Sequence, residues 1–385
     1  MFGGHGPRDG GGAFLPRVVQ VTVDRVRPAR QSPRSRIDLV VSIHEEGTAL
    51  TWRRRAKVTP AIADRMIGHT VALHAWARGG SGTEAQARRT ADALGRTMQR
   101  TFLGDDGAAV LASLHPTAVL LAVDESLLNL PWEILRTVAG GIPRPVPLGR
   151  IVSTGTVPAA RRDPLNEDAN LTILVVANPT GDLDATKVER DTIVGLTGEH
   201  GSITVTVKTL SRRSATRAGF ARAVKGQAFD VIHFAGHGAF DAVNPHESFL
   251  VFADGPMPAS AIAGLGWSAP PYIVFNSACE SARAAMGRSL VSAKGQANGL
   301  VAAFLAAGSE AYIGHFWPVG DEAAAAYAGA FYETLLRDRN VGTAVTAARA
   351  VVDHGFDTAA DLAGIGAVFF GDAGTAERRD LATAA

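Results

Sequence analysis

The chain has 385 residues, of which 46% are hydrophobic and 19% charged; this is enough apolar material for one large or two smaller cores and excludes a globally disordered chain. Basic and acidic residues nearly cancel, 38 against 37, giving a formal net charge of +1, so charge provides no basis for a nucleic-acid partner. A single cysteine, Cys279, excludes an intramolecular disulfide and fits a reducing compartment. No run of about 18 apolar residues marks a membrane span, and the expected location is the cytoplasm.

Residues 1–12 are glycine-rich and lack an apolar centre. They read as a flexible tail, not a signal peptide, and they lack the strand–loop–helix setting and lysine of a phosphate-binding loop. Residues 13–165 read as an N-terminal module, strands first and helices after, packed on the C-terminal core. Val19, Val21 and Val23 alternate with polar residues as in a half-buried strand. Ile37–His44 and Thr48–Ala56 flank Glu45-Glu46-Gly47 as a hairpin. Ala87, Ala91, Leu94 and Met98 have the spacing of an amphipathic helix over Thr83–Phe102, and Asp105–Leu114 reads as a shorter one. Ala118–Val123 is a buried strand, and Pro143–Asn170, rich in proline and charge, reads as a long connection.

Residues 166–372 alternate strands and helices, and 373–385 read as a fraying tail. Strands are predicted at Leu171–Ala177, Ile203–Val207, Val231–Ala235, Phe249–Phe252, Tyr272–Asn276, Ala311–Phe316 and Ala367–Phe370. Helices are predicted at Ala185–Leu196, Ser214–Val224, Gln296–Ala307, Asp321–Arg337 and Gly342–Val352, with a short one at Ala259–Gly264. Runs such as Tyr272–Asn276 are continuously apolar, which points to strands covered on both faces in a mostly parallel sheet.

In such sheets functional groups gather beyond the carboxyl ends of the strands. Val231–Ala235 runs into Gly236-His237-Gly238, and Tyr272–Asn276 runs into Ser277-Ala278-Cys279-Glu280. Each apolar run therefore ends by presenting one reactive side chain. A thiol, an imidazole and two fixed backbone donors suffice for thiol acyl transfer, and the amides of Gly238 and Cys279 are candidates for the oxyanion hole. A lone cysteine also reads as a small core hydrophobe. His233, inside its apolar run, reads as a core or supporting histidine, and His315 as structural. Asp321 is a candidate substrate-binding carboxylate, with helix N-cap as the alternative. Glu280 shapes the cleft or pairs on the surface.

Val231–Gly238 (VIHFAGHG) and Val274–Ser281 (VFNSACES) resemble the His and Cys motifs of CHAT peptidases, relatives of caspases and separases. Leu130–Leu135 (LPWEIL), Val175–Gly181 (VVANPTG), Gly299–Gly308 (GLVAAFLAAG) and Tyr312–Asp321 (YIGHFWPVGD) resemble further family segments in the same order. Ser281 and Ala282 stand where the family often has threonine and glycine, and Gly364–Gly371 lacks an aromatic–proline element before the last strand.

The resemblance implies a caspase-like three-layer α/β sandwich with a mostly parallel central sheet, preceded by the β-hairpin and helical module. It implies a cysteine endopeptidase that cleaves a protein substrate, with Cys279 as nucleophile, His237 as acid and base, and Asp321 in a pocket for basic side chains. It further implies a separate sensor or regulatory protein as trigger, and a place in bacterial defence or regulated cell death. The alternatives are a catalytically silent scaffold of the same fold and a different cysteine hydrolase, such as an amidase or transpeptidase. No cofactor is called for, and the sequence has no Cys/His cluster for zinc.

Overall fold

The computed structural model describes residues 17–26, 36–49, 51–124, 127–151, 164–165, 170–241, 244–278, 281, 299–355 and 361–374. The chain opens with an antiparallel meander of β1 (Val18–Arg25), β2 (Ile37–Glu45) and β3 (Thr51–Val58). In β2 every second residue from Ile37 to Ile43 is buried, the period-two pattern of a strand covered on one face. Thr59 then accepts a hydrogen bond from the Ile62 amide, and Pro60 opens α1 (Pro60–Ala77). Both residues suit a helix start: the hydroxyl satisfies a free amide, and proline has none to satisfy. Thr83 and Gln86 cap α2 (Glu84–Met98) reciprocally. A widened turn leads from it to α3 (Gly104–Ser113). β4 (Ala118–Val123) and β5 (Leu148–Ile151) come next.

The second part begins with β6 (Asn170–Ala177), α4 (Thr186–Val194), β7 (Gly198–His200), β8 (Ile203–Ser211), α5 (Arg217–Gly226) and β9 (Val231–Ala235). A small three-stranded sheet of β10 (Gly238–Ala239), β11 (Phe249–Phe252) and β12 (Gly255–Pro258) interrupts the alternation. The chain continues through α6 (Ala259–Ala263), β13 (Ile273–Asn276), α7 (Gly299–Ala307), β14 (Ala311–His315), α8 (Asp321–Asp338), α9 (Val341–Gly355), α10 (Asp361–Gly366) and β15 (Ala367–Phe370).

Among the described residues, the strands outside the small sheet join one sheet of twelve, in the order β3-β2-β1-β4-β5-β15-β14-β13-β9-β6-β8-β7. Seven of its eleven neighbouring pairs are parallel and four antiparallel. The strands on either side of residue 165 thus lie in a single sheet. One face packs on α1–α3, α5–α7 and the Leu127–Leu135 segment, and the other on α4, α8 and α9. Covering both faces explains why β9, β13, β14 and β15 are buried at every position.

Within the sheet, β8-β6-β9-β13-β14 are in spatial order 2-1-3-4-5 by position in the chain. The order reverses between β6 and β9, and at such a reversal the two exit loops diverge to opposite faces and leave a crevice. The segments after β6, β9 and β13 meet there.

Three expectations need correction. β5 lies within the segment read as a connection, because its Arg150 makes it look polar. In the fold that guanidinium is buried, paired with Glu133, and bonded to the carbonyls of Leu128 and Leu130. α1 occupies a stretch to which the sequence pattern assigned no element. Asp321 is not an N-cap. Gly320 holds that position without a side-chain cap, and Asp321 is the first helical residue, exposed to solvent. Of the tails read at 1–12 and 373–385, residues 1–12 and 375–385 lie outside the described residues, whereas Ala373 and Gly374 are buried.

Candidate active site

β9 ends at Ala235, whose carbonyl accepts a hydrogen bond of 2.8 Å from the Asn178 amide in the loop after β6. The next residue is Gly236. A Cβ there would lie 3.0 Å from both Pro179 Cδ and the Phe234 ring, tighter than nearly all side-chain contacts, so the neighbours would have to give by a few tenths of an ångström. Glycine therefore lets the two loops touch. His237 is next, with its carbonyl accepting from the Val251 amide at 2.9 Å, so the backbone is tied to the small sheet. Its side chain is 42% exposed, and Nε2 lies 3.0 and 3.1 Å from the two carboxylate oxygens of Asp182.

Asp182 is held by its own loop. Asn178 and Gly181 adopt left-handed conformations, with φ of 45° and 82°. The Asn178 side chain accepts from the Leu183 amide at 3.1 Å, and the Thr180 hydroxyl donates to the Asp182 carboxylate. The Thr180 hydrogen bond, and after it the one from His237, keep this carboxyl below the usual aspartate range.

The approach to Cys279 is as firmly tied. Gly238 lies against the residue before the thiol: a Cβ on it would be 3.0 Å from Ala278 Cβ. The Ser277 amide donates to the Phe234 carbonyl at 2.8 Å, and the Ala278 amide to Asn276 Oδ1 at 3.1 Å. Ser281, on the far side, donates from its hydroxyl to the Asn276 carbonyl at 2.8 Å and accepts from the His315 amide at 3.0 Å. The buried Tyr312 hydroxyl donates to the Ser281 carbonyl at 2.8 Å and accepts from Asn276 Nδ2 at 2.9 Å. Burial pushes the Tyr312 phenol well above its ordinary range, so it stays a neutral donor. Cys279 and Glu280 themselves lie outside the described residues, as does Ala282.

The other two histidines singled out in the sequence, His233 and His315, are in the core. His233 is fully buried, stacked on Phe275 at 4.7 Å, and shares a hydrogen bond of 3.2 Å with the Tyr332 hydroxyl. Its Nε2 comes within 2.9 Å of the Glu189 carboxylate, off the direction of a good hydrogen bond. His315 is buried against Tyr327, its two ring nitrogens have no hydrogen-bond partner among the described residues, and desolvation lowers its pKa to about 4. Asp321 starts α8 beyond the carboxyl end of β14, two strands from β9.

The structure thus brings His237, Gly238 and Ala278 together and adds Asp182, which the sequence pattern did not single out. The Asn-Pro-Thr-Gly-Asp run after β6 was the available signal: a turn sequence at a strand end that closes on a carboxylate. Asn276, Tyr312 and the Ser281 hydroxyl were likewise unassigned. Among the described residues no group of three or more His, Cys, Asp or Glu side chains could hold a metal ion, and no helix is long and apolar enough to cross a membrane.

The family model of the CHAT domain matches residues 86–359. No curated protein sequence matches significantly. Two crystal structures of the Saccharomyces cerevisiae separase–securin complex align with 92% of the chain, at TM-scores of 0.57 and 0.55 and 12% identity. The chain spans 30% of the length of the chains it matches there. At that identity the likeness is one of fold: a mixed α/β sandwich around a large, mostly parallel sheet, as in the caspase-like fold of separase.

Proposed function

Since the chain belongs to the CHAT domain family, we propose that it is a cysteine endopeptidase acting through Cys279 and His237. The observation that supports this most directly is the close packing of Gly238 on Ala278. It puts the residues that flank the imidazole and the thiol in the chain side by side, at the reversal point of the sheet.

In the proposed reaction the Cys279 sulfur, its proton taken by His237, attacks the scissile carbonyl. The carbonyl oxygen becomes an oxyanion facing the amides of Gly238 and Cys279. Collapse of the tetrahedral species breaks the C–N bond, and the imidazolium gives its proton to the departing amine. Water, deprotonated by His237, then hydrolyses the thioester and frees the thiol. The chemistry draws on no cofactor. Asp321 and Glu280 line the substrate side, with Asp321 selecting a basic residue before the scissile bond. The structures to which the chain is similar hold separase with securin; by analogy a separate regulatory protein controls this enzyme. A cytoplasmic role in bacterial defence or regulated cell death, and a division into an N-terminal module (13–165) and a peptidase core (166–372), belong to the same proposal.

Purified protein with a peptide library, alone and with candidate partners, tests the reading. His237→Ala should lower kcat by about 10²–10⁴-fold and Cys279→Ala should abolish cleavage, with both melting temperatures close to that of the parent. Wild-type turnover in Cys279→Ala overturns the nucleophile. Zero cleavage by parent and variants under every condition supports the silent scaffold instead.

A further inference from the structure

Two carboxylate–imidazole contacts join the same two stretches of chain. One stretch runs from the end of β6 into α4 and carries Asp182 and Glu189; the other is β9 with its exit and carries His233 and His237. Asp182 meets His237 at the solvent surface, 3.0 Å from Nε2. Glu189 meets His233 in the interior, 2.9 Å apart, with side-chain exposures of 4% and 0%.

Resting on the cysteine-peptidase reading above, we propose that Asp182 is a positioning residue for His237, and that the buried Glu189–His233 pair keeps it in place. The carboxylate engages Nε2, which leaves Nδ1 as the ring nitrogen free to exchange a proton with the thiol. The thiol proton moves to Nδ1, the Nε2 proton stays in its bond to Asp182, and the carboxylate balances the imidazolium so formed. Asp182 itself takes up no proton. Nδ1 later delivers its proton to the leaving amine.

An ion pair between freely moving surface side chains contributes little, because ordering them offsets the attraction. This pair is differently placed. Thr180 and Asn178 hold the carboxylate's loop, and the Asn178 amide binds the last carbonyl of β9. Gly236 admits Pro179 at contact distance. Separating Glu189 from His233 would leave two buried polar groups without their neighbour, which favours keeping α4, and the loop before it, against β9.

Cys279 is the sole cysteine, so the iodoacetamide labelling rate of the intact native chain, measured across pH, reports on one thiol without a known substrate. Asp182→Ala should move the midpoint of the rate–pH profile up by about one unit, slowing labelling at pH 7 by about tenfold. Asp182→Asn, which still accepts from Nε2–H without the charge, should fall between, and Asp182→Glu should recover to within about twofold of the parent. An Asp182→Ala profile that superimposes on the parent's overturns the inference. So does equal impairment in all three variants with lowered melting temperatures, the mark of a loop merely disrupted. His237→Ala separates the two levels. If it labels like the parent, the peptidase reading fails; if it is slow while Asp182→Ala is not, positioning by Asp182 alone fails.

Discussion

Among the described residues neither nitrogen of the buried His315 ring has a hydrogen-bond partner, and this makes the fold sensitive to acid. Its pKa falls from 6.5 to about 4, chiefly by desolvation, with the Glu189 carboxylate acting in the opposite sense. The unfolded chain therefore binds the proton more readily than the folded one between those values. Stability is complete above about pH 6.5 and declines as pH falls toward 4, by about 2 kcal/mol between pH 7 and 5 and about 3 in all. His315→Leu should remove that part of the slope in urea titrations at pH 7 and 5. At pH 7 it should be neutral or stabilising, because it replaces an unbonded polar group with an apolar one. A slope unchanged in the variant would assign the acid sensitivity elsewhere. Ser281 shows how a departure from a family pattern can be harmless: its hydroxyl makes both of its bonds, and threonine would present the same group. Asp182, in contrast, was hard to see in the sequence, because its partner is 55 positions away and the pairing exists once β6 and β9 are neighbours.

Among the elements, the buried strands were the most legible. Val231–Ala235 and Ala367–Phe370 fall where the apolar runs begin and end, because a strand covered on both faces carries few polar residues along its length; Phe249–Phe252, buried at alternate positions in the small sheet, also coincides with its run. α1 was illegible for the opposite reason: its buried positions include Thr70 and His74, which blur the stripe, and the Thr59-Pro60 start signal was the cue available. At α8 the finding that Gly320 is the N-cap sharpens the test of Asp321. As a first-turn acid, Asp321 helps its helix by under about 1 kcal/mol. Asp321→Asn should therefore shift the melting temperature slightly, while kcat/KM drops for peptides with Lys or Arg before the scissile bond and holds for those with Leu. Equal kcat/KM changes in both peptide sets would leave it a helix residue alone.

At the scale of the whole molecule, the twelve-stranded sheet ties the first 165 residues to the rest. β5 pairs with β15 through Arg150 and Phe370, and the Arg150 guanidinium lies 5.6 Å over the Phe370 ring while bonding Glu133. A chain starting at residue 166 would lose β5 and expose the flank of β15, whose residues are all buried. It should aggregate on gel filtration or melt without cooperativity, whereas the full chain should show one transition by circular dichroism. A monomeric, cooperatively melting fragment would mean that the two parts fold independently. So long a sheet still ends in two rims, β3 and β7. β3 carries Arg53, Arg55 and Lys57 in the solvent, and β7 is three residues long. A second copy approaching β3 would bring like charges into register. That rim of the sheet is thereby guarded against the end-to-end growth that leads to fibres, whereas β7 covers β8 only from Ile203 to Val205.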